Sequence, residues 1–189
     1  MKKKVSALLT AAVLLTGCGS DTSSEAKPQI PDGITMHTAE DVGSEYADAI
    51  KAYFTALDQN DYKAYSALVH PVYAEAFSEY LAKKDSTLKD NFNAQRKRFD
   101  EDGYAGWRIT DITLSKYAKP DYDYYFSRFT DAGILTDEQV QAVKDSAWET
   151  EDLEFSVGVL YEGDPEPVTV FSAQEMILFK TADGVRVFG

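Results

Sequence analysis

The chain is short of the residues that most metal and redox chemistry requires. Its 189 residues include one cysteine and two histidines. A single Cys excludes an internal disulfide framework and a Cys-rich zinc site. Two His argue against a His-cluster metal centre, so neither a metal nor a cofactor is expected. Basic residues are also scarce, 19 Lys+Arg against 32 Asp+Glu, for a net charge of −13. That balance argues against nucleic-acid binding, which needs clustered Lys and Arg to neutralise phosphates. The apolar run Val5 to Leu15 is broken by Ser6 and Thr10 and is too short to cross a bilayer core of roughly 30 Å as a helix. No Gly-rich phosphate loop, serine nucleophile elbow or metal-ligand spacing appears. What is present is 44% hydrophobic and 13% aromatic, enough to build a core.

The N-terminus has the order of an export signal. Lys2, Lys3 and Lys4 precede the apolar run, which ends in Leu15-Thr16-Gly17-Cys18. A basic segment, a short apolar segment and a small-residue cleavage site define such a signal. The last four residues resemble the lipobox of bacterial lipoproteins, and the only Cys of the chain falls in its register. That resemblance implies that the Cys18 thiol is diacylglycerated, that residues 1–17 are removed, and that Cys18 becomes the new N-terminus. The alternative is an ordinary secretory signal with an incidental Cys18. Each buried acyl CH₂ contributes about 0.8 kcal/mol, so two or three chains hold a domain stably on a membrane. Losing three lysines leaves 16 basic against 32 acidic residues, a charge of −16. An anionic surface repels such a domain, so attachment would depend on lipid rather than on a basic patch. Residues 18–37 are rich in Ser, Thr, Asp, Gly and Pro and are expected to form a flexible tether reaching roughly 25 Å.

Residues 38–189 are expected to form one α+β domain. Thr38 with Asp41 suggests a cap, and Val42, Tyr46, Ala49, Ile50, Tyr53 and Leu57 then recur at helical spacing. Asn60 or Asp61 would cap a short helix. Pro71 starts another, because a proline disfavours helical geometry at the residue before it. A further helix is expected from Asp85 or Ser86 to Gly103. Trp107 to Tyr117 has strand composition, but its alternation changes parity near Asp111, which calls for a bulge or a bend. Pro120 to Trp148 reads as a helical insert, with Thr136 and Gln139 as a capping box and Leu135 and Val140 as a hydrophobic staple. Alternation then marks strands at Leu153–Tyr161, Val168–Lys180 and Val185–Phe188, with short turns that imply antiparallel pairing. Helices on one face of a curved antiparallel sheet complete the expectation.

The stretches Ala52-Tyr53-Phe54-Thr55-Ala56-Leu57 and Asn60-Asp61-Tyr62-Lys63-Ala64-Tyr65 resemble the opening of nuclear transport factor 2-like domains. The closing Phe179-Lys180-Thr181-Ala182-Asp183-Gly184-Val185-Arg186-Val187 resembles their last hairpin. The resemblance covers about residues 40 to 189 and implies a cone-like domain in which helices close one side of a curved sheet and can leave an apolar pocket. The insert at Pro120 to Trp148 is longer than usual for the family. Some members are isomerases or cyclases that use an Asp base with a Tyr or Asp oxyanion donor, but no such motif is matched residue by residue here.

Three polar residues are candidates for a pocket. Asp111 and Glu175 lie inside expected strands, and burial would raise the pKa of either carboxyl and poise it as a base. The competing possibility is that both face solvent, or that Asp111 marks the bulge. His70 lies at a helix junction, as a pocket residue, a cap or a core histidine. His37 carries no functional case. Asp121-Tyr122-Asp123 lacks the ligand ladder of a calcium loop and suits a helix N-terminus. Arg96-Lys97-Arg98 is the only basic run beyond the signal and is most simply a solvated face, with a docking patch as the alternative. The tyrosines at 46, 53, 62, 65, 73 and 80 fit a core, though phenols inside a cone would also orient a ligand.

The expected protein is a non-catalytic extracytoplasmic domain, anchored through Cys18 to the cell membrane of a Gram-positive bacterium, that binds a small apolar molecule or an envelope protein. A pocket enzyme with a buried carboxylate base is the alternative. Cys18→Ala should release or mislocalise the protein. Detergent phase partitioning of cell fractions checks this, and quantitative partitioning of the mature variant into detergent would contradict the anchor.

Overall fold

The computed structural model describes residues 33–188. The signal, Cys18 and the tether as far as residue 32 lie outside the described residues. Five strands form one mixed, open sheet in the order β1-β2-β3-β4-β5, with six helices against it. The strands are β1 (Thr35–Thr38), β2 (Trp107–Lys116), β3 (Ala147–Tyr161), β4 (Val168–Thr181) and β5 (Gly184–Phe188). The helices are α1 (Ser44–Asp58), α2 (Tyr62–Leu68), α3 (Pro71–Ala82), α4 (Leu88–Lys97), α5 (Tyr122–Asp131) and α6 (Asp137–Ser146). The domain is therefore α+β, as its pattern implies.

Local signals act where the sequence places them. Asp61 Oδ1 accepts the Ala64 amide to start α2, and Asn60 takes a left-handed turn with φ 57° just before it. Pro71 occupies the first turn of α3, where its missing N–H costs nothing. Thr136 and Gln139 form a reciprocal capping box on α6. Asp121 accepts the Tyr124 amide at the start of α5. The parity change in β2 is a real irregularity, a register shift against β3 between Ile109 and Asp111. It keeps Ile109, Ile112 and Leu114 in one core.

Four expectations are corrected. The last residues of the expected tether, Thr35 to His37, join Thr38 in a strand paired in parallel with β2 from Asp111 to Leu114. Thr38 is thus held in a ladder and cannot cap a helix, so α1 starts later, after Gly43. The sheet is mixed for the same reason. The helix expected from Asp85 or Ser86 is capped by Thr87, with Asp90 completing its box, and ends at Lys97 rather than at Gly103.

Helices cover both faces of the sheet, not one. On the first face Tyr46, Ile50, Tyr53, Phe54 and Leu57 of α1 pack with Ile112, Leu114, Leu153, Val157 and Leu178. On the second, the insert helices α5 and α6 and part of α3 bring Tyr125, Phe126, Val143 and Tyr73 onto Ile177, Phe179 and Phe188. Successive strand residues point to opposite faces. The run Met176-Ile177-Leu178-Phe179 is buried throughout because each parity has its own core. No described helix is long and apolar enough to cross a membrane.

Gly158 in β3 fixes the bulge from the facing strand. A Cβ built there would lie 2.1 Å from Asp111 Oδ2, an overlap that forces the Asp111 carboxylate out of its place. Gly158→Ala should destabilise the domain by roughly 1–3 kcal/mol. Adding Asp111→Ala should recover part of the loss, as read from denaturant melts of the two single variants and the double variant.

Candidate functional site

A cavity of about 190 Å³ lies between α1, α4 and the first face of the sheet. Its apolar wall comes from Phe54 and Leu57 of α1, Phe99 just beyond α4, and Phe155, Phe171 and Met176 of β3 and β4. The polar lining is Tyr53, Gln95, Arg98, Gln174 and Glu175. A kink in β4 helps to shape it. Ala173 takes φ 51°, and the β3–β4 register shifts between Phe155 and Val157.

The polar groups are organised around one amide. Tyr53 Oη donates to Gln95 Oε1 at 2.6 Å, and Gln95 Nε2 donates to Tyr65 Oη at 3.0 Å. Burial holds the Tyr53 phenol well above its ordinary pKa, so it remains a neutral donor. Gln95 keeps a second N–H, and the Tyr53 oxygen keeps acceptor capacity.

The basic run is built into the fold. Arg96 Nε donates to the Leu57 carbonyl at 2.7 Å, which satisfies a carbonyl in the last turn of α1. The Arg96 guanidinium also stands 5.3 Å from the Trp107 ring centre. Arg98 lies 4.6 Å from the centre of the Phe171 ring. Lys97 and Arg98 are exposed, as a solvated face requires, while Arg96 is half-buried and held by a helix terminus and a ring.

The three candidates from the sequence do not converge. Asp111 is half-buried at the bulge, where its Oδ2 accepts the Thr110 hydroxyl at 2.8 Å, and it does not line the cavity. Glu175 does line it, while Arg128 of α5 approaches the Glu175 carboxylate at 3.7 Å. His70 is wholly buried, away from the cavity. Its Nε2 pairs with Ser146 Oγ at 2.9 Å, and its ring meets Phe179 and Phe188 edge-on. Its backbone N–H donates to Val187, so it stitches α3 to β5. Burial, with a smaller contribution from Arg186, lowers the His70 pKa to about 4.

The structure adds a carboxylate that the pattern concealed. Asp152 in β3 is 4% exposed, and neither carboxylate oxygen has a hydrogen-bond partner among the described residues. It stands opposite Ile177 in the ladder, on the second face. Glu175 is two residues from Ile177 and shares that face. Burial first, and the neighbouring Glu175 second, raise the Asp152 pKa to about 7, and Arg128 opposes the shift. The sequence signal was faint: Asp152 ends an acidic stretch and precedes the clear alternation. Gln95, Arg98 and Gln174 carried no signal beyond the basic run. Among the described residues no group of three His, Cys, Asp or Glu is placed to hold a metal ion.

The sign of the pH dependence follows from the shift. The folded state binds a proton on Asp152 more tightly than the unfolded chain does, between about pH 4 and pH 7. Its contribution to stability is present below that window and is lost as pH rises through 7. His70 acts oppositely, losing stability as pH falls from 6.5 toward 4. Asp152→Asn should therefore raise the melting temperature by a few degrees at pH 8 and by less at pH 4.5. Thermal melts of both proteins at the two pH values check this, and an equal gain at both would show that Asp152 is not the titrating group.

Comparison with protein-family profiles, with curated proteins and with solved structures finds no significant match to this chain.

Proposed function

We propose that this chain is a lipid-anchored extracytoplasmic binding domain, held at the cell membrane through Cys18, whose cone-like, nuclear transport factor 2-like domain takes a small, largely apolar molecule. The observation that carries the proposal is the cavity between α1, α4 and the sheet, walled by Phe54, Phe99, Phe155, Phe171 and Met176 with a few convergent polar groups. Apolar walls with sparse, oriented polar groups are the usual composition of a ligand site. Its volume of about 190 Å³ suits one ring, since an apolar cavity of roughly 150 Å³ admits benzene.

The polar chemistry of the cavity favours binding over turnover. Glu175 is the one acid in its lining, and Arg128 attends that carboxylate. Asp152, the carboxyl poised nearest neutrality, lies on the opposite face from the α1 core. An isomerase-type mechanism needs a base within hydrogen-bond reach of its substrate. The tyrosine and glutamine groups around Gln95 can orient a ligand, and none of them is a base at neutral pH.

Benzyl alcohol is a suitable neutral probe. It should raise the melting temperature of the full chain saturably, because a ligand of the folded state stabilises it by mass action. Gln174→Trp, which places a bulky ring in the lining, should abolish the shift. A linear, unsaturable response, or the same response in both proteins, would remove the cavity as the binding site.

A further inference from the structure

We infer that the cavity is selective for a small organic monoanion, a single ring bearing one carboxylate, with the carboxylate held by Arg98. This inference rests on the binding role proposed for the cavity and specifies its ligand class.

Arg98 is the central observation. The protein has 32 acidic residues and 19 basic ones, so a cation near the surface has many available partners. Lys116, Arg128, Lys144 and Lys180 each stand within 4 Å of a carboxylate, whereas Arg98, like several other described cations, forms no ion pair among the described residues. It lies instead over Phe171, and both residues line the cavity. Stacking on a ring orients a guanidinium and leaves its edge donors free for a planar partner. The one acid of the lining does not compete for it, because Glu175 faces Arg128.

The other lining groups agree with an anion. The Gln95 amide has spent one N–H on Tyr65 and retains the second. The Gln174 amide nitrogen donates to the Ser172 carbonyl at 3.0 Å and likewise has one N–H left. A guanidinium fork matches one carboxylate bidentately. A phosphate dianion would need more donors than one arginine and two amide hydrogens supply. The six apolar side chains and the small volume then set the rest of the molecule as one ring. A lysine in place of Arg98 would keep the charge but lose both the fork and the stacking.

The test compares phenylacetate with phenylacetamide, which are nearly isosteric and differ in charge. Binding to the full chain is measured by calorimetry at fixed ionic strength. Phenylacetate should bind about tenfold more tightly, the scale of a charge-assisted hydrogen-bond pair. Arg98→Gln should remove that preference by weakening phenylacetate far more than phenylacetamide, with an unchanged melting temperature showing that the fold is intact. Arg98→Lys should restore only part of the preference. Equal binding of the two probes to the unmodified chain, or a preference that survives Arg98→Gln, would overturn the anion selectivity while leaving the cavity as a ligand site. Absence of binding by either probe would overturn the cavity's binding role as well.

Discussion

The structure depends on the long antiparallel pairing of β3 with β4 and on the burial of both faces of its closed end. Their ladder runs from Ala147 opposite Thr181 to Val159 opposite Val168. At one end of it Met176 and Leu178 face the α1 core, while Ile177 and Phe179 face the opposite way. A strand that is apolar on both parities cannot leave either face in water without exposing large side chains. The insert helices α5 and α6 meet that requirement, and Phe188 of β5 sits among their aromatic rings. The insert is therefore structural in the first instance: it supplies the second core.

The same two-faced strand separates the two polar constellations. The cavity opens where β4 kinks at Ala173, beyond the doubly covered end, on the α1 side. Asp152 and Glu175 lie on the insert side, where Arg128 attends Glu175. Alternation along β4 thus sends Met176 to the cavity wall and the Glu175 carboxylate toward α5. Arg128 thus attends the Glu175 carboxylate, although Glu175 and Arg98 belong to the same lining. Asp152 and His70 shift in directions that favour their neutral forms, because burial and a like charge outweigh any opposite charge nearby.

Much of this fold was legible because its signals are local. The Asp61 cap, Pro71, the Thr136–Gln139 box and the parity change at Asp111 each act over a few residues, and each appears in the structure. β1 was not legible. Thr35, Met36, His37 and Thr38 are mostly exposed and show no apolar alternation, and they form a strand only because β2 offers an edge. The first residues of β3 were hidden likewise, since Ala147 follows α6 with no turn residue between them. Lys180 there bridges Glu149 across the ladder and Glu45 of α1, a contact invisible along the chain.

The sequence by itself determined the α+β class, most helix starts, the bulge and the closing hairpin, because capping chemistry and side-chain periodicity are read from near neighbours. It also carries the Leu15-Thr16-Gly17-Cys18 motif, whose chemistry needs no fold. The tertiary structure alone decided which residues meet. Tyr53 and Gln95 are 42 positions apart and share a 2.6 Å hydrogen bond, and Arg98 reaches Phe171 across the cavity. Asp152 meets Glu175 only through the β3–β4 register. Such encounters depend on long-range pairing and on which face each strand residue presents, and no short stretch of sequence encodes either.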